Sequence, residues 1–177
     1  MSLKSTSSRY GSVAVAIHWL SALMIVLLFA TGLLAAAQVD SDAKVALLRA
    51  HTPLGAGVLV LTLFRIVWWF VADKRPALPA GQPAWQQWVA RATHIGLYVV
   101  VLVTASSGIA TIVLSGALPA IVGSATLPNL ETVLPRAVHG VVSRLMLGLL
   151  ALHIGAALYH QFIRRDHLLA RMGIGAA

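Results

Sequence analysis

Four stretches of this chain, at about 13–37, 53–72, 92–114 and 137–163, are long and apolar enough to cross a bilayer. Spanning the hydrocarbon core takes roughly 20 apolar residues of helix. Backbone polar groups at that depth must be satisfied within the segment, so each stretch is expected as a helix. The connections leave no room for a water-soluble unit, and residues 1–177 read as a single membrane-embedded domain. The fold class expected is all-α, a transmembrane four-helix bundle. With 59% hydrophobic and 10% charged residues, the composition excludes an ordinary soluble domain.

The net charge of +8 invites a nucleic-acid reading, but its placement argues against one. Lys4 and Arg9 precede the first span, Lys74, Arg75 and Arg91 separate the second from the third, and Arg164, Arg165 and Arg171 follow the fourth. The other two connections hold Lys44, Arg49 and Arg136, offset by Asp40, Asp42 and Glu131. Basic excess that alternates from side to side is a topology signal, and it puts both termini in the cytoplasm. The partner expected is membrane lipid, with no nucleic acid. The first span follows Lys4 and Arg9 as a secretory signal would, but its apolar run is too long for one and carries His18-Trp19, so it is expected to be retained. There are no cysteines, which excludes disulfides, iron–sulfur clusters and covalently attached haem.

Between the spans the sequence suggests a polar N-terminal segment 1–11, an outer loop 38–50, and Pro53 in the first turn of the second span. Trp68-Trp69 and Asp73-Lys74-Arg75 mark the exit of that span. A Pro-rich connector 76–83 follows, with Trp85 and Trp88 expected on a separate interfacial helix. The apolar connection 115–136 is expected to dip into the membrane or cap the bundle.

Ionisable side chains are costly in hydrocarbon and need a reason to be there. His139 and His153 share the last span, fourteen residues apart, which sets them on one helix face about 21 Å apart. His18 opens the first span and His51 the second. Alternating span direction sorts the four into two depths, His51 with His139 and His18 with His153. Paired imidazoles at two heights point to two cofactors, and imidazole from both sides of a porphyrin gives a six-coordinate iron suited to electron transfer. Gly32 follows His18, and Gly108 follows His94, by the same fourteen residues, leaving a bare helix surface at the opposite level. Small-residue helix packing is the plainer explanation of any one such glycine, and it is the shared offset that makes the cofactor reading competitive. Interhelical hydrogen bonding, or a proton or ion path, is the plain alternative for the histidines. Zinc fits poorly, because no cysteine or nearby carboxylate completes a tetrahedral site.

Other ionisable residues are candidates of a second rank. His94 competes with His18 for the inner site. His160 and Arg65 are placed for a quinone carbonyl or haem propionates, with interfacial seating and snorkelling as their plainer explanations. Arg144 lies deep and wants a partner, and His167 reads as solvated.

Ile17-His18-Trp19, His51, His94-Ile95-Gly96-Leu97-Tyr98, His139, Leu152-His153, Tyr159-His160 and the tail 166–172 resemble the bacterial cytochrome b561 family over nearly the whole chain. The resemblance implies a multi-pass dihaem protein of the bacterial inner (cytoplasmic) membrane. It implies two haem b groups, with His18 and His153 as axial ligands of one haem iron and His51 and His139 of the other. His160 matches a histidine linked to the quinone end. Gln161 departs from the family, where many members carry a second histidine. The activity implied is oxidation of periplasmic superoxide with reduction of ubiquinone. The alternative is a cytochrome b anchor or relay subunit, taking electrons from a periplasmic dehydrogenase or carrier protein to quinone. A haem-free transporter or proton channel is a third class. The modest outer charge is a second departure, since a funnel for superoxide calls for a clearer positive excess.

Overall fold

The computed structural model describes residues 2–39, 41–77 and 82–175. Asp40, Gly81 and residues 78–80 of the expected Pro-rich connector lie outside the described residues. The described residues form helices and no strands. Four long helices, α1 (Ser12–Ala37), α2 (Ser41–Val71), α3 (Ala84–Ser115) and α5 (Leu134–Leu158), carry the fold, with a short α4 (Leu118–Val122) between α3 and α5. A six-residue π turn, Tyr159–Arg164, extends α5, and a 3-10 turn, Leu168–Met172, closes the described chain.

All four long helices have the length and composition of membrane spans. Leu23, Val26, Leu33, Val60, Val67, Phe70, Val113, Leu145 and Leu147 are all more than half exposed. Such a surface is stable only where the solvent is itself apolar. The chain is a multi-pass membrane bundle.

Three expected boundaries move. Helix α2 starts at Ser41, so residues 41–50 are helix rather than loop and Pro53 is inside α2 rather than in its first turn. Ala43, Ala46, Leu47 and Leu48 are strong helix formers, and Asp42 in the first turn complements the helix dipole; an apolar-run criterion sees none of this. Trp85 and Trp88 belong to the first turns of α3 itself, because no helix breaker follows Pro83 before the span. The third change is at α5, which begins at Leu134 with Pro135 in the first turn.

The helices associate as two pairs, α1 along α2 and α3 along α5, joined by sparser α2–α3 contacts. Val58, Val101 and Met146 form the buried centre, surrounded by Met24, Ile25, Leu28, Phe29, Val100 and Leu150. Met146 is seven residues from both His139 and His153, so this apolar layer lies midway between the two histidine levels.

Each end of the bundle is closed. At one end, Gly116 ends α3 with φ 70°, a conformation that favours glycine, and α4 folds back with Ala117, Ala120 and Ile121 buried. The guanidinium of Arg49 on α2 donates to the carbonyls of Ile121 (2.9 Å), Ala120 (3.5 Å) and Gly123, so the apolar connection is a cap. At the end carrying both termini, Arg171 donates to the Ser8 and Ala77 carbonyls, and Trp19 Nε1 donates to Met172 O at 3.0 Å. Asp73 is buried there and accepts from Ser5 N (2.9 Å), Ser5 Oγ (2.8 Å), Trp68 Nε1 (3.2 Å) and Lys74 N (2.8 Å).

Candidate cofactor site

The space between the two helix pairs is bridged by histidines. The ring centres of His51 (α2) and His139 (α5) are 6.2 Å apart near the capped end. Those of His18 (α1) and His153 (α5) are also 6.2 Å apart, near the terminal end. A metal ion holding one imidazole nitrogen on each side, at about 2 Å each, sets two ring centres about 6 Å apart. His94 is nearer to His153, at 5.4 Å, too close for an ion to lie between them on one axis. Among the described residues no group of three or more His, Cys, Asp or Glu side chains is placed to hold a metal ion. Two-ligand pairs suit a metal whose remaining coordination is supplied by a macrocycle.

Hydrogen bonding favours one tautomer for both histidines near the capped end. Thr31 Oγ1 donates its one hydrogen to the Leu27 carbonyl at 2.8 Å. Facing His51 Nδ1 at 3.0 Å, that oxygen therefore accepts, so Nδ1 carries the ring proton and Nε2 is bare. His139 Nδ1 lies 2.9 Å from the Thr104 carbonyl, which can only accept. Ser107 Oγ, already donating to that carbonyl, stands 3.4 Å from the same nitrogen. Both histidines near the capped end thus present an unprotonated Nε2, the form that ligates metal.

Glycines make room at the same level. A Cβ on Gly32 would come 3.0 Å from His51 Cε1, and one on Gly108 would come 3.1 Å from His139 Cε1. The bare surface thus serves a histidine ring directly, by close approach of α1 to α2 and of α3 to α5. Thr31-Gly32 and Ser107-Gly108 are the same device, a hydroxyl for Nδ1 followed by space for the ring. The hydroxyl partners went unread in the sequence; the repeated hydroxyl-glycine pair at equal offset from a histidine was the available signal.

The level near the terminal end is built differently. Arg65 Nη1 donates towards His18 Nδ1 at 3.4 Å, its guanidinium lies 5.9 Å from the Tyr98 ring centre, and its Nε is buried with no partner. An anionic acceptor beside Arg65 would satisfy that nitrogen and release His18 Nδ1 to hold its own proton. Haem, with its paired propionates, fits this donor set.

The remaining candidates separate. His160, in the π turn, pairs through Nδ1 with Asp166 Oδ2 at 2.5 Å. His167 is exposed with φ 56°. Arg144 is exposed on α5 and meets no carboxylate among the described residues. Of the basic residues near the capped end, Arg49 is committed to the cap and Arg136 pairs with Glu131 at 3.0 Å.

The family described as prokaryotic cytochrome b561 matches residues 9–175. Cytochrome b561 homolog 1 of Escherichia coli (strain K12) is 29% identical over 173 residues, covering 93% of this chain and 97% of the relative. Cytochrome b561 homolog 2 of the same organism is 28% identical over 181 residues, covering 97% of this chain and 95% of the relative. A membrane bundle with imidazoles paired across its interior, matched end to end by this family, belongs to the prokaryotic cytochrome b561 family, whose work is transmembrane electron transfer through haem b.

Proposed function

We propose that the chain holds two b haems, one on His51 and His139 and one on His18 and His153. It would pass electrons from a donor at the capped end to ubiquinone at the terminal end. The alternation of basic residues supports a cytoplasmic terminal end, and membership of a prokaryotic family supports a bacterial inner membrane. The observation that carries this reading is the equal 6.2 Å separation of the two imidazole pairs.

Bound haem supplies a one-electron redox centre at each level. The chain's own residues do the rest. Thr31, Thr104 and Ser107 hold the outer Nδ1–H groups and aim the bare nitrogens inward. Val58, Val101 and Met146 keep water out between the levels. Arg65 offers positive charge and an unused donor at the inner level, for propionates or a quinone carbonyl. His160 stands at the terminal end for the quinone.

Superoxide is the leading donor: two superoxide ions and one quinone with two protons would give two dioxygen and one quinol. A second reading, a relay subunit fed by a periplasmic dehydrogenase or carrier protein, gains from the outer surface. With Arg49 and Arg136 engaged in the protein's own contacts, little of the basic excess is left to steer an anion. Stopped-flow mixing of the oxidised holoprotein with superoxide separates the two. Reduction of the haems at near-encounter rates supports the oxidase; no reduction on that timescale supports the relay.

A further inference from the structure

Where α5 ends, the backbone does something expensive. The helix widens into a π turn over Tyr159–Arg164, a feature that recurs at functional sites. Arg165 and His167 both take left-handed conformations, at φ 55° and 56°, a region that residues other than glycine seldom adopt. Arg165 N and Asp166 N both donate to the His160 carbonyl. Together these contacts fold the chain back on itself, and the outcome is one side-chain contact: Asp166 Oδ2 at 2.5 Å from His160 Nδ1.

That contact fixes what His160 can do. An ionised carboxylate only accepts, so Nδ1 is the donor and Nε2 is the nitrogen left to exchange a proton. The imidazole is 13% exposed and the carboxylate 25%, so the pair stands between the bundle interior and the water outside. Two further acceptors of this segment, Asp166 Oδ1 and Gln161 Oε1, are buried without a partner. A species bearing hydroxyl hydrogens, such as a quinol, has donors for them.

We propose that Asp166 is the positioning residue of a proton-delivering pair at the quinone end, holding His160 so that its Nε2–H is given to a quinone carbonyl oxygen. This rests on the reading that quinone is reduced at the terminal end. Quinone takes two electrons, supplied by the family's electron-transfer activity, and two protons. At the carbonyl beside His160 an O–H bond forms as the Nε2–H bond breaks. The ring is left neutral with Nδ1–H still held by Asp166; the opposite carbonyl oxygen, beyond reach of His160, takes the second proton from water, and Nε2 regains its proton from water before the next quinone is reduced. His160 is the group that touches substrate, whereas Asp166 acts through it.

The test uses the holoprotein with its haems reduced beforehand, mixed with decylubiquinone, reading haem reoxidation against quinone concentration. Asp166→Asn should lower the maximal rate by roughly 10-fold or more, since a positioned general acid contributes at least that. The half-saturating concentration should stay within about twofold, and Asp166→Glu should recover most of the rate. Unchanged maximal rates in Asp166→Asn, or a loss confined to the half-saturating concentration, overturn the proposal. Should the parent protein itself fail to be reoxidised by decylubiquinone, the quinone reading falls first and this proposal with it. A readout independent of turnover is histidine-selective nitrogen NMR of the parent. A His160 signal with Nδ1 protonated, and Nε2 shifting on addition of decylubiquinone, is expected. An Nε2 signal indifferent to the quinone overturns the assignment even if the variants fold poorly.

Discussion

His51 illustrates how much depends on a single hydrogen. Because Thr31 has spent its own on the Leu27 carbonyl, the ring proton of His51 is confined to Nδ1. Replacing Thr31 with Val removes that acceptor, and the loss of such an outer-shell partner typically weakens metal binding by about 10–100-fold. We expect Thr31→Val to shed haem from the outer level on dilution while the inner level keeps its own, read by haem titration. Ser107→Ala should be milder, because the Thr104 carbonyl still holds His139 Nδ1. Space matters as much as polarity. Gly32→Ala would bring a methyl to 3.0 Å of His51 Cε1, forcing the ring to give by a few tenths of an ångström. Its expected signature is a shifted or lost haem absorbance with helix content unchanged, and an unaltered spectrum would contradict the packing argument. The histidines were legible in the sequence because ionisable groups in apolar runs stand out. Their hydroxyl partners were not, since Thr and Ser are unremarkable inside membrane helices.

At the scale of elements, the spans were readable and their ends were not. Hydropathy reports where hydrocarbon contact begins, whereas a helix continues for as long as its backbone and side chains favour it. Hence α2 starts at Ser41 and α3 at Ala84, well before their apolar runs. The cap at the end away from the termini was legible only as an apolar loop, because nothing local announces that Arg49 will reach three carbonyls some seventy residues later. Arg49→Ala should leave the last carbonyls of α4 unpartnered, at about 1–3 kcal/mol each where buried. Faster amide exchange in Ala120–Gly123 is the expected readout, and Arg49→Lys should rescue poorly because a single ammonium lacks the fork. The terminal end has its own clasp at Asp73. Burial pushes its carboxyl up, but the hydrogen bonds from Ser5, Lys74 and Trp68 prevail and hold it below its ordinary value of 3.8. A depressed folded value means the stabilisation is complete above that ordinary range and is lost as pH falls through the folded one. The N-terminal segment should therefore become protease-sensitive only in strong acid, and Asp73→Asn should release it at neutral pH.

Taken whole, the molecule is two helix pairs with imidazoles paired between them at two heights, an apolar layer between those levels and a polar clasp at each end. That plan explains why the pairs meet so sparsely: a flat, rigid group is the natural filler of such a gap. The depth pairing followed from span direction alone, but the preference for His18 over His94 did not, because both lie near the same end of spans that run in the same direction. Only the ring separations distinguish them, 6.2 Å against 5.4 Å from His153. The most direct test is haem quantification per chain, with a reduced-minus-oxidised spectrum, on the purified parent and on His18→Ala, His51→Ala and His94→Ala. The expected result is two b haems in the parent, about one in each of the first two variants, and two retained in the third. A parent with one haem or none, or a His18→Ala protein that keeps both while His94→Ala loses one, would contradict the account.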